Sequence, residues 1–530
     1  MSLLGLPSSS RNLLVVASVS VASLVALGIV AFGGSSSPYS SRRRQSGKRR
    51  QSKKHKRHVY LRGLYNLGNT CFLNSTLQSL ASVALFDTYV KNCVASLGED
   101  NNIVECSVDA NIAIQLNNVL DLLAPQTRRV AAHSPRALIN SLGHKGRWIV
   151  SRNEQDAQEL FQMLSSTLQT VCRQTETSLF DSGFLAKTTP IENRIITISR
   201  RESCGSIPIT DQQGLSNSQD DGNYSNIVSQ GSSLDNPLLG MAASRIACVN
   251  CGYTAAIRHF TFDNLSLAVP HVANTTIEDC LAMYTAIDQL DDFKCRLCTL
   301  KATLEQTQAD ILCHKSNLER LESTPKKAKR EKALISKLCN QQKLLQNALE
   351  NDPEAELEGV HMASLPPGIS TKQTMIARTP KILMLHLSRS IYMANGVSAK
   401  NPASVRLQRL LDISPFTTTG HISTSASKPI SGPSVPVNMY SPKSLAEVRR
   451  RNCLYRLCAV VIHSGAHDSG HFYAYRRVVG LNTGDDYVDT EALLADTAQW
   501  FLVSDISSTE VSLDTVLNAG NGYLLFYERV

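Results

Sequence analysis

Cys71 is the residue of this sequence that is best placed to act as a nucleophile. It follows Gly68 and Asn69, which predict a turn, and leucines at helical spacing continue over residues 73–80. Cys71 is therefore expected in the first turn of a helix, where unpaired backbone N–H groups and the positive end of the helix dipole favour a thiolate. The alternative is a buried structural cysteine without a chemical role.

His471 is the candidate partner of this cysteine. It follows the glycine-containing turn 465–470 and begins a segment in which aromatic residues alternate. A cysteine at a helix start and a histidine in a glycine loop are the two parts that thiol chemistry needs, because the histidine takes the thiol proton. A single histidine is more often a surface or core residue without a chemical role. The proximity of His471 to Cys71 is therefore an expectation.

Two Cys-x-x-Cys pairs form a second group of reactive residues: Cys248 with Cys251, and Cys295 with Cys298. Four thiolates close a tetrahedral zinc site, so the pairs predict a structural zinc ion. The segment between them is longer than in a compact zinc ribbon, and unmetallated cysteines are the alternative. We expect no catalytic cofactor, because four cysteine ligands leave no position open on the metal.

The composition places these residues in a large globular protein. The chain has 530 residues, 42% of them hydrophobic, which is enough for one elaborated domain or two domains. Its fourteen cysteines are too few for a disulfide scaffold, so a reducing compartment is expected. The net charge of +9 comes from residues 1–60, which hold eleven Lys and Arg and no acidic residue. The remainder is nearly neutral, so we expect no nucleic-acid partner.

The N-terminal segment predicts a membrane anchor. Residues 13–32 are an uncharged stretch of twenty residues, long enough for a helix to cross the hydrocarbon core, and ten Lys and Arg follow within 42–57. Because positive charge stays on the cytosolic side, residues 1–12 are expected as a short non-cytosolic tail and 34–60 as a basic juxtamembrane linker. All residues after Gly34 would then lie in the cytosol.

A moderately apolar anchor with flanking cations is typical of the outer mitochondrial membrane; the endoplasmic reticulum and peroxisome membranes are the alternatives. A cleaved secretory peptide is usually shorter, and cations directly after it would oppose translocation. The basic run is also compatible with a nuclear-localisation or nucleic-acid tail. The pattern as a whole favours a single-pass membrane protein.

Five segments of the sequence resemble motifs of the ubiquitin-specific proteases. They are a Cys box at 63–80, a glutamine box at 155–161, a strand at 379–389, a His box at 469–475 and a closing strand at 523–527. The resemblance implies an α+β, papain-like fold with thumb, palm and fingers. The cysteine pairs would belong to a zinc-ribbon-like fingers region, and residues 260–270 resemble a fingers strand.

The resemblance also implies roles for single residues. Cys71 would be the nucleophile, His471 the general base and Asn66 a hydrogen-bond donor to the oxyanion. The substrate-binding residues would be Gln155, Asp156 and Gln158. Asp156 would lie near a basic residue of the ubiquitin tail.

By the same resemblance Ser504, and not Asp505, would occupy the third catalytic position, where most of the family has Asp or Asn four residues after a tryptophan, here Trp500. A serine oxygen can accept a hydrogen bond from the imidazole of His471, but it stabilises imidazolium less than a charged aspartate does. Together with the anchor, this serine resembles the branch of the family at the outer mitochondrial membrane. That resemblance implies a role in opposing mitophagy.

The catalytic domain is expected to span residues 61–530 and to contain three inserts. Residues 203–236 and 417–442 are rich in small and polar residues and are expected as mobile surface loops. Residues 300–357 carry leucines at helical spacing with a break at Pro325, which predicts a helical hairpin that offers a surface to a protein partner.

The implied activity is hydrolysis of the isopeptide bond at the ubiquitin C-terminus through a thioester, with ubiquitin and ubiquitinated membrane proteins as partners. A catalytically weak ubiquitin-binding scaffold at the membrane is the alternative, because Ser504 weakens the acid–base pair. A transglutaminase or glutaminase would share the cysteine and histidine chemistry, but it would leave the glutamine box, the cysteine pairs and the closing strand unexplained.

Overall fold

The computed structural model has an α+β structure, as the sequence predicts. The described residues are 58–97, 107–145, 156–181, 235–254, 257–320, 325–393, 396, 398–418, 423–431, 448–449, 451–466, 469–478 and 498–530. Within these ranges no helix has both the length and the apolar character needed to span a bilayer. The expected anchor at 13–32, the basic linker up to residue 57 and the insert 203–236 up to residue 234 lie outside the described residues.

The helices follow one another mostly in the first part of the described chain. They are α1 (Cys71–Leu80), α2 (Ala84–Ala95), α3 (Val108–Leu123), α4 (Arg136–Lys145), α5 (Ala157–Asp181), α6 (Ile277–Tyr284), α7 (Arg296–Arg320), α8 (Pro325–Asn351) and α9 (Leu513–Leu517).

The strands begin after α5. They are β1 (Gly240–Cys248), β2 (Arg258–Phe262), β3 (Leu265–Ala268), β4 (Asn274–Thr276), β5 (Ile287–Phe293), β6 (Gly368–Arg378), β7 (Ile382–Ser388), β8 (Ser390–Tyr392), β9 (Ser398–Lys400), β10 (Ser404–Arg406), β11 (Leu410–Asp412), β12 (Leu454–Gly465), β13 (Gly470–Val478), β14 (Gln499–Ser504), β15 (Ser507–Val511) and β16 (Gly522–Arg529).

The largest sheet has eight strands in the order β15-β14-β13-β12-β16-β7-β3, with β11 beside β12. Its two faces contact two different hydrophobic cores. Along β12, Val461 packs with the residues of α1 to α5, whereas Val460 and Ile462 pack on the opposite side. This alternation follows from the two-residue period of a strand, and it places helices on the face where α1 lies.

Arg476 of β13 fixes the C-terminal end of α1, a helix whose residues are all buried. Its guanidinium donates hydrogen bonds to Gln78 Oε1 at 2.8 Å, to the Ala81 carbonyl at 2.9 Å and to Ser82 Oγ at 3.0 Å. Burial lowers the pKa of Arg476 to about 10, so these three oxygens replace water around the cation. Strand β13 is thereby held against α1.

A smaller sheet, in the order β2-β1-β6-β5, carries the cysteine pairs. Cys248 ends β1, and α7 begins within the second pair. The helix α8 starts at Pro325, where proline suits the first helical position. The expected hairpin at 300–357 thus corresponds to α7 and α8, which pack together through Leu300, Leu345 and Ala348.

Two expectations differ from the structure. Residues 260–270 do not form one fingers strand, because a bend at Asp263 and Asn264 separates β2 of the smaller sheet from β3 of the larger one. The expected loop 417–442 is packed in part. Arg245 donates to the carbonyls of Ser423 and Lys428, both at 2.6 Å, and Ile430 is fully buried.

Replacing Arg476 with leucine is expected to lower the free energy of unfolding by about 2–4 kcal/mol, because one buried and two partly buried acceptors lose their donor. Urea denaturation followed by tryptophan fluorescence measures this change. Arg258→Leu, at an exposed position of β2, is the control and should change stability by less than about 0.5 kcal/mol. Equal denaturation midpoints for the two variants would contradict the proposed anchoring of α1.

Candidate active site

Cys71 is the first residue of α1 and its side chain is buried. The turn before it contains Gly68 and Asn69 with positive φ values of 97° and 54°, a conformation that glycine and asparagine tolerate. Thr70 Oγ1 accepts a hydrogen bond from the Leu67 N–H at 2.9 Å and closes the turn. The thiol therefore lies at the N-terminal end of the helix, near backbone N–H groups that have no partner within the helix.

His471 lies within hydrogen-bond distance of Ser504, the predicted third catalytic residue. It pairs with Ser464 in the hairpin between β12 and β13, and its Nε2 lies 2.8 Å from Oγ of Ser504 at the end of β14. With the Nε2–H as donor to the serine, the imidazole carries its lone pair on Nδ1. That tautomer is the one in which Nδ1 can accept the proton of a thiol.

Asp505 links the turn after β14 to the loop before α1. Its Oδ2 accepts from Asn66 Nδ2 at 3.1 Å, and its Oδ1 accepts from Asn74 Nδ2 at 2.7 Å. Its carbonyl accepts from the Leu64 N–H at 2.8 Å. The residue has a φ of 45°, which aspartate tolerates better than most residues. The turn that follows Ser504 thus holds the chain on both sides of the nucleophile.

The amide of Asn66 is oriented from both ends. Its Oδ1 accepts from the Gly68 N–H at 3.1 Å and from the N–H and hydroxyl of Thr70 at 3.1 and 3.2 Å. Its nitrogen carries two hydrogens, one of which goes to Asp505. A fixed amide donor close in sequence to a nucleophile has the chemistry that stabilises an oxyanion.

Asp156 has a structural partner on the closing strand. Its Oδ1 accepts from the Gln158 N–H at 2.7 Å and from the hydroxyl of Tyr523 at 2.6 Å. Burial, and then the charge of this carboxylate, raise the pKa of Tyr523. The side chain of Gln158 donates to Asn264 Oδ1 at 3.3 Å. Gln155 lies outside the described residues.

A second histidine lies near Asp156 and is neutral. His386 Nδ1 is 3.0 Å from Ser266 Oγ, and its ring centroid is 4.9 Å from that of Tyr523. Burial lowers the pKa of His386 to about 4, although the charge of Asp156 opposes this shift. His386 therefore adds no charge to the site near neutral pH.

A cleft of about 630 Å³ borders the loop that precedes His471. Lys400 lines it and ties the loop down: Nζ donates to the carbonyls of His463 at 2.8 Å and Gly465 at 3.2 Å. Burial lowers the pKa of Lys400, and the charge of Arg389 lowers it further. Two short contacts to the end of β12 thus limit the movement of the histidine loop.

The four predicted metal ligands are brought together. The sulfurs of Cys248 and Cys298 are 3.9 Å apart, those of Cys251 and Cys295 are 3.5 Å apart, and all four lie within 4.8 Å of one another. A tetrahedral zinc with bonds of about 2.3 Å separates its sulfurs by about 3.8 Å, so this cluster fits one zinc ion.

Comparison with known proteins identifies the family. A family model described as ubiquitin carboxyl-terminal hydrolase matches residues 62–527. The chain belongs to this family. It is therefore a cysteine-type deubiquitinase, which confirms the enzyme class expected from the sequence.

This ubiquitin carboxyl-terminal hydrolase resembles several curated relatives over most of their length. It is 28% identical to ubiquitin carboxyl-terminal hydrolase 30 of Xenopus tropicalis, covering 96% of this chain and 86% of the relative. The human protein of that name is 26% identical, with 96% and 89% covered. A solved SAGA DUB module bound to ubiquitin aldehyde is 16% identical at a TM-score of 0.48, covering 89% of this chain and 70% of the other.

The motifs of the hydrolase did not reveal three residues that hold its site together. Asp505 directly follows the third catalytic position, and no motif assigns it the asparagines at 66 and 74 as partners. Tyr523 lies in the closing-strand motif, but that motif does not indicate its bond to Asp156. Lys400 belongs to no motif, and both residues bond to partners that are distant in sequence.

Hydrolase purified without a chelator is expected to contain one zinc ion per chain, measured by inductively coupled plasma mass spectrometry. Cys248→Ser with Cys251→Ser should remove the zinc and destabilise the small sheet, because a structural zinc contributes folding free energy.

The matched control is Cys313→Ser with Cys339→Ser, two cysteines of the helical hairpin outside the cluster. This control should retain zinc. Wild-type protein without zinc would show that the cluster is not a metal site.

Proposed function

We propose that this hydrolase is a membrane-tethered deubiquitinating protease that cleaves the isopeptide bond between the ubiquitin C-terminus and a lysine. The observation that supports this best is the 2.8 Å contact between His471 Nε2 and Ser504 Oγ. The next residue, Asp505, holds the loop of Cys71. One turn therefore connects the candidate base to the candidate nucleophile.

The reaction begins when Cys71 transfers its proton to His471 and attacks the isopeptide carbonyl. A C–S bond forms, and the electron pair moves to the oxygen, which Asn66 and the first N–H groups of α1 stabilise. Collapse of this oxyanion breaks the C–N bond, while His471 protonates the departing lysine amine. Water activated by His471 then hydrolyses the thioester and restores the thiol.

Ser504 orients the imidazole without adding charge. The carboxylate of Asp505 bonds to the two asparagine amides and not to His471. The imidazolium formed during the reaction thus has a neutral partner, which stabilises it less than a carboxylate would. This neutral partner also favours the second candidate function, a catalytically weak scaffold that binds ubiquitin at the membrane.

The ubiquitin tail would lie near the glutamine box. Among the described residues, the second carboxylate oxygen of Asp156 has no hydrogen-bond partner, so it can accept from a basic residue of the tail. Gln155 and Gln158 would contribute further polar contacts. A structural zinc at the four cysteines would hold the start of α7 to the end of β1.

Ser504→Ala is expected to lower kcat/KM by about 10- to 100-fold while ubiquitin affinity stays nearly unchanged, because the serine orients only the reacting imidazole. Cys71→Ala should abolish turnover and covalent capture by a ubiquitin with a C-terminal electrophile, yet still bind ubiquitin. Turnover of ubiquitin–aminomethylcoumarin and titration of labelled ubiquitin measure the two effects. A wild-type chain that the electrophile does not capture would support the scaffold instead.

A double-mutant cycle distinguishes the role of Asp505 from that of Ser504. Asn66→Ala and Asp505→Ala should each reduce kcat, by up to about 10²-fold for a lost oxyanion donor, and the double variant should be little worse than either. Ser504→Ala combined with Asn66→Ala should be closer to additive. Additive losses for the Asn66 and Asp505 pair would show that Asp505 does not act through that amide.

The membrane part of the proposal rests on the sequence of residues 13–57. An uncharged stretch of twenty residues followed by ten cations suits a single-pass anchor with the catalytic domain in the cytosol. The outer mitochondrial membrane is the proposed location, and ubiquitinated proteins of that membrane are the proposed substrates. Removing their ubiquitin would oppose mitophagy.

A fluorescent reporter fused after residues 1–57 is expected at the outer mitochondrial membrane, facing the cytosol. External protease should remove the reporter from intact organelles. Replacing the cations of 42–57 with glutamine should weaken targeting, because the orienting charge is lost. A reporter fused to 34–57 alone is the control and should stay diffuse; a reporter protected from protease would contradict the orientation.

A further inference from the structure

The helical hairpin of α7 and α8 ends in a dense group of positive charges. Within the first eight residues of α8 the cations are Lys326, Lys327, Lys329, Arg330 and Lys332, and all five are exposed. We call these five residues the basic tip. They lie outside the N-terminal segment that carries the net charge of the chain.

The residues that the structure describes do not neutralise the basic tip. The first turn of α8 contains no acidic residue, and the positive end of the helix dipole adds to the charge there. Glu331 is the single acidic residue among 325–332, and its Oε2 is 2.8 Å from Nδ1 of His314. Among the described residues, no partner forms an ion pair with any member of the basic tip.

Exposed leucines lie near these cations. Leu312 on α7 is 68% exposed and Leu334 on α8 is 37% exposed. Both are within three residues of the contact between His314 and Glu331, which joins the two helices. Cations beside exposed apolar side chains are typical of surfaces that contact an anionic membrane.

Nucleic acid suits this surface less well. Proteins that bind single strands combine cations with aromatic side chains on which bases stack. Residues 296–351 contain no Phe, Tyr or Trp. The combination of lysines and leucines therefore favours a lipid surface.

The basic tip lies at the opposite end of the hairpin from the cysteine cluster. With 25 residues, α7 is about 37 Å long at 1.5 Å per residue. Its first turn contains Cys298 of the cysteine cluster, and the small core of Leu300, Leu345 and Ala348 packs near that base. The tip can therefore contact a surface without involving the candidate catalytic residues.

We propose that the basic tip binds the anionic phospholipid surface of the membrane that carries the chain. This inference rests on the proposed function, since a membrane anchor keeps the domain close to lipid and makes a weak second contact effective. Each cation near an anionic surface strengthens binding about fivefold. An anchor at one end and the basic tip at another would orient the catalytic domain relative to the membrane.

Lysine footprinting on the full-length protein tests this proposal. The protein is mixed with vesicles of phosphatidylcholine alone or with added phosphatidylserine, acetylated with an amine-reactive reagent and analysed by mass spectrometry. The tip lysines should react several-fold more slowly with phosphatidylserine present, because lipid contact covers their amines, and high salt should remove the protection. The controls are Lys294 and Lys301, exposed at the base of the hairpin, which should react equally in both vesicles.

A variant with glutamine at all five positions of the basic tip provides the second measurement. Lys315, exposed on the adjacent helix, is the reporter that remains: it should be protected in the wild-type protein and unprotected in the variant. The matched variant Lys294→Gln with Lys301→Gln should keep this protection. Turnover of soluble ubiquitin–aminomethylcoumarin should be the same in all three proteins.

The outcomes separate the inference from the proposed function. A chain that resists carbonate extraction but whose tip lysines react equally in both vesicles would overturn the role of the tip and leave the anchor intact. A chain that carbonate removes, with tip lysines still protected by phosphatidylserine, would overturn the anchor and support the tip. Protection by RNA but not by anionic vesicles would also overturn the proposal.

Discussion

The carboxylate of Asp505 and the guanidinium of Arg476 fix the two ends of α1, and the geometry of the site depends on this pair. The negative group binds the loop at the N-terminal end of the helix, and the positive group binds oxygens at its C-terminal end. Each charge therefore complements the helix dipole. Because Arg476 lies on β13 with His471 and Asp505 follows Ser504, the same contacts that secure the buried helix also set the position of the thiol relative to the imidazole.

The candidate site was predictable where its parts are local. Cys71, His471 and Ser504 lie in short motifs, and Ser504 is four residues after Trp500. The role of Asp505 was not predictable, since it depends on a turn with positive φ that directs the carboxylate across the fold. The bond from Tyr523 to Asp156 joins segments that are far apart in sequence, so no periodicity or spacing could have indicated it.

The fold, like the candidate site, was predictable where the sequence signal is local and not where it depends on distant segments. Leucines at helical spacing predicted the hairpin of α7 and α8, and the resemblance to the ubiquitin-specific proteases predicted a strand at 260–270. The pattern does not specify which sheet a strand joins. Leu265 and Leu267 are buried because β3 pairs with β7, a contact between distant segments. The polar sequence of residues 423–431 predicts a mobile loop. The buried guanidinium of Arg245, however, needs hydrogen-bond acceptors, and two carbonyls of this segment provide them, which fixes the segment in place.

Among the described residues, few charges remain available to the candidate catalytic pair. Burial keeps His386 neutral near neutral pH, and Lys400 is occupied by the carbonyls of the histidine loop. The carboxylate of Asp505 is shared between two amides. With a serine at the third position, orientation of the imidazole and supply of negative charge are divided between neighbouring residues, Ser504 and Asp505. A thiolate formed at Cys71 would therefore be stabilised by the imidazolium of His471 and by the N-terminus of α1, so the placement of that helix is an electrostatic contribution of the fold to the site.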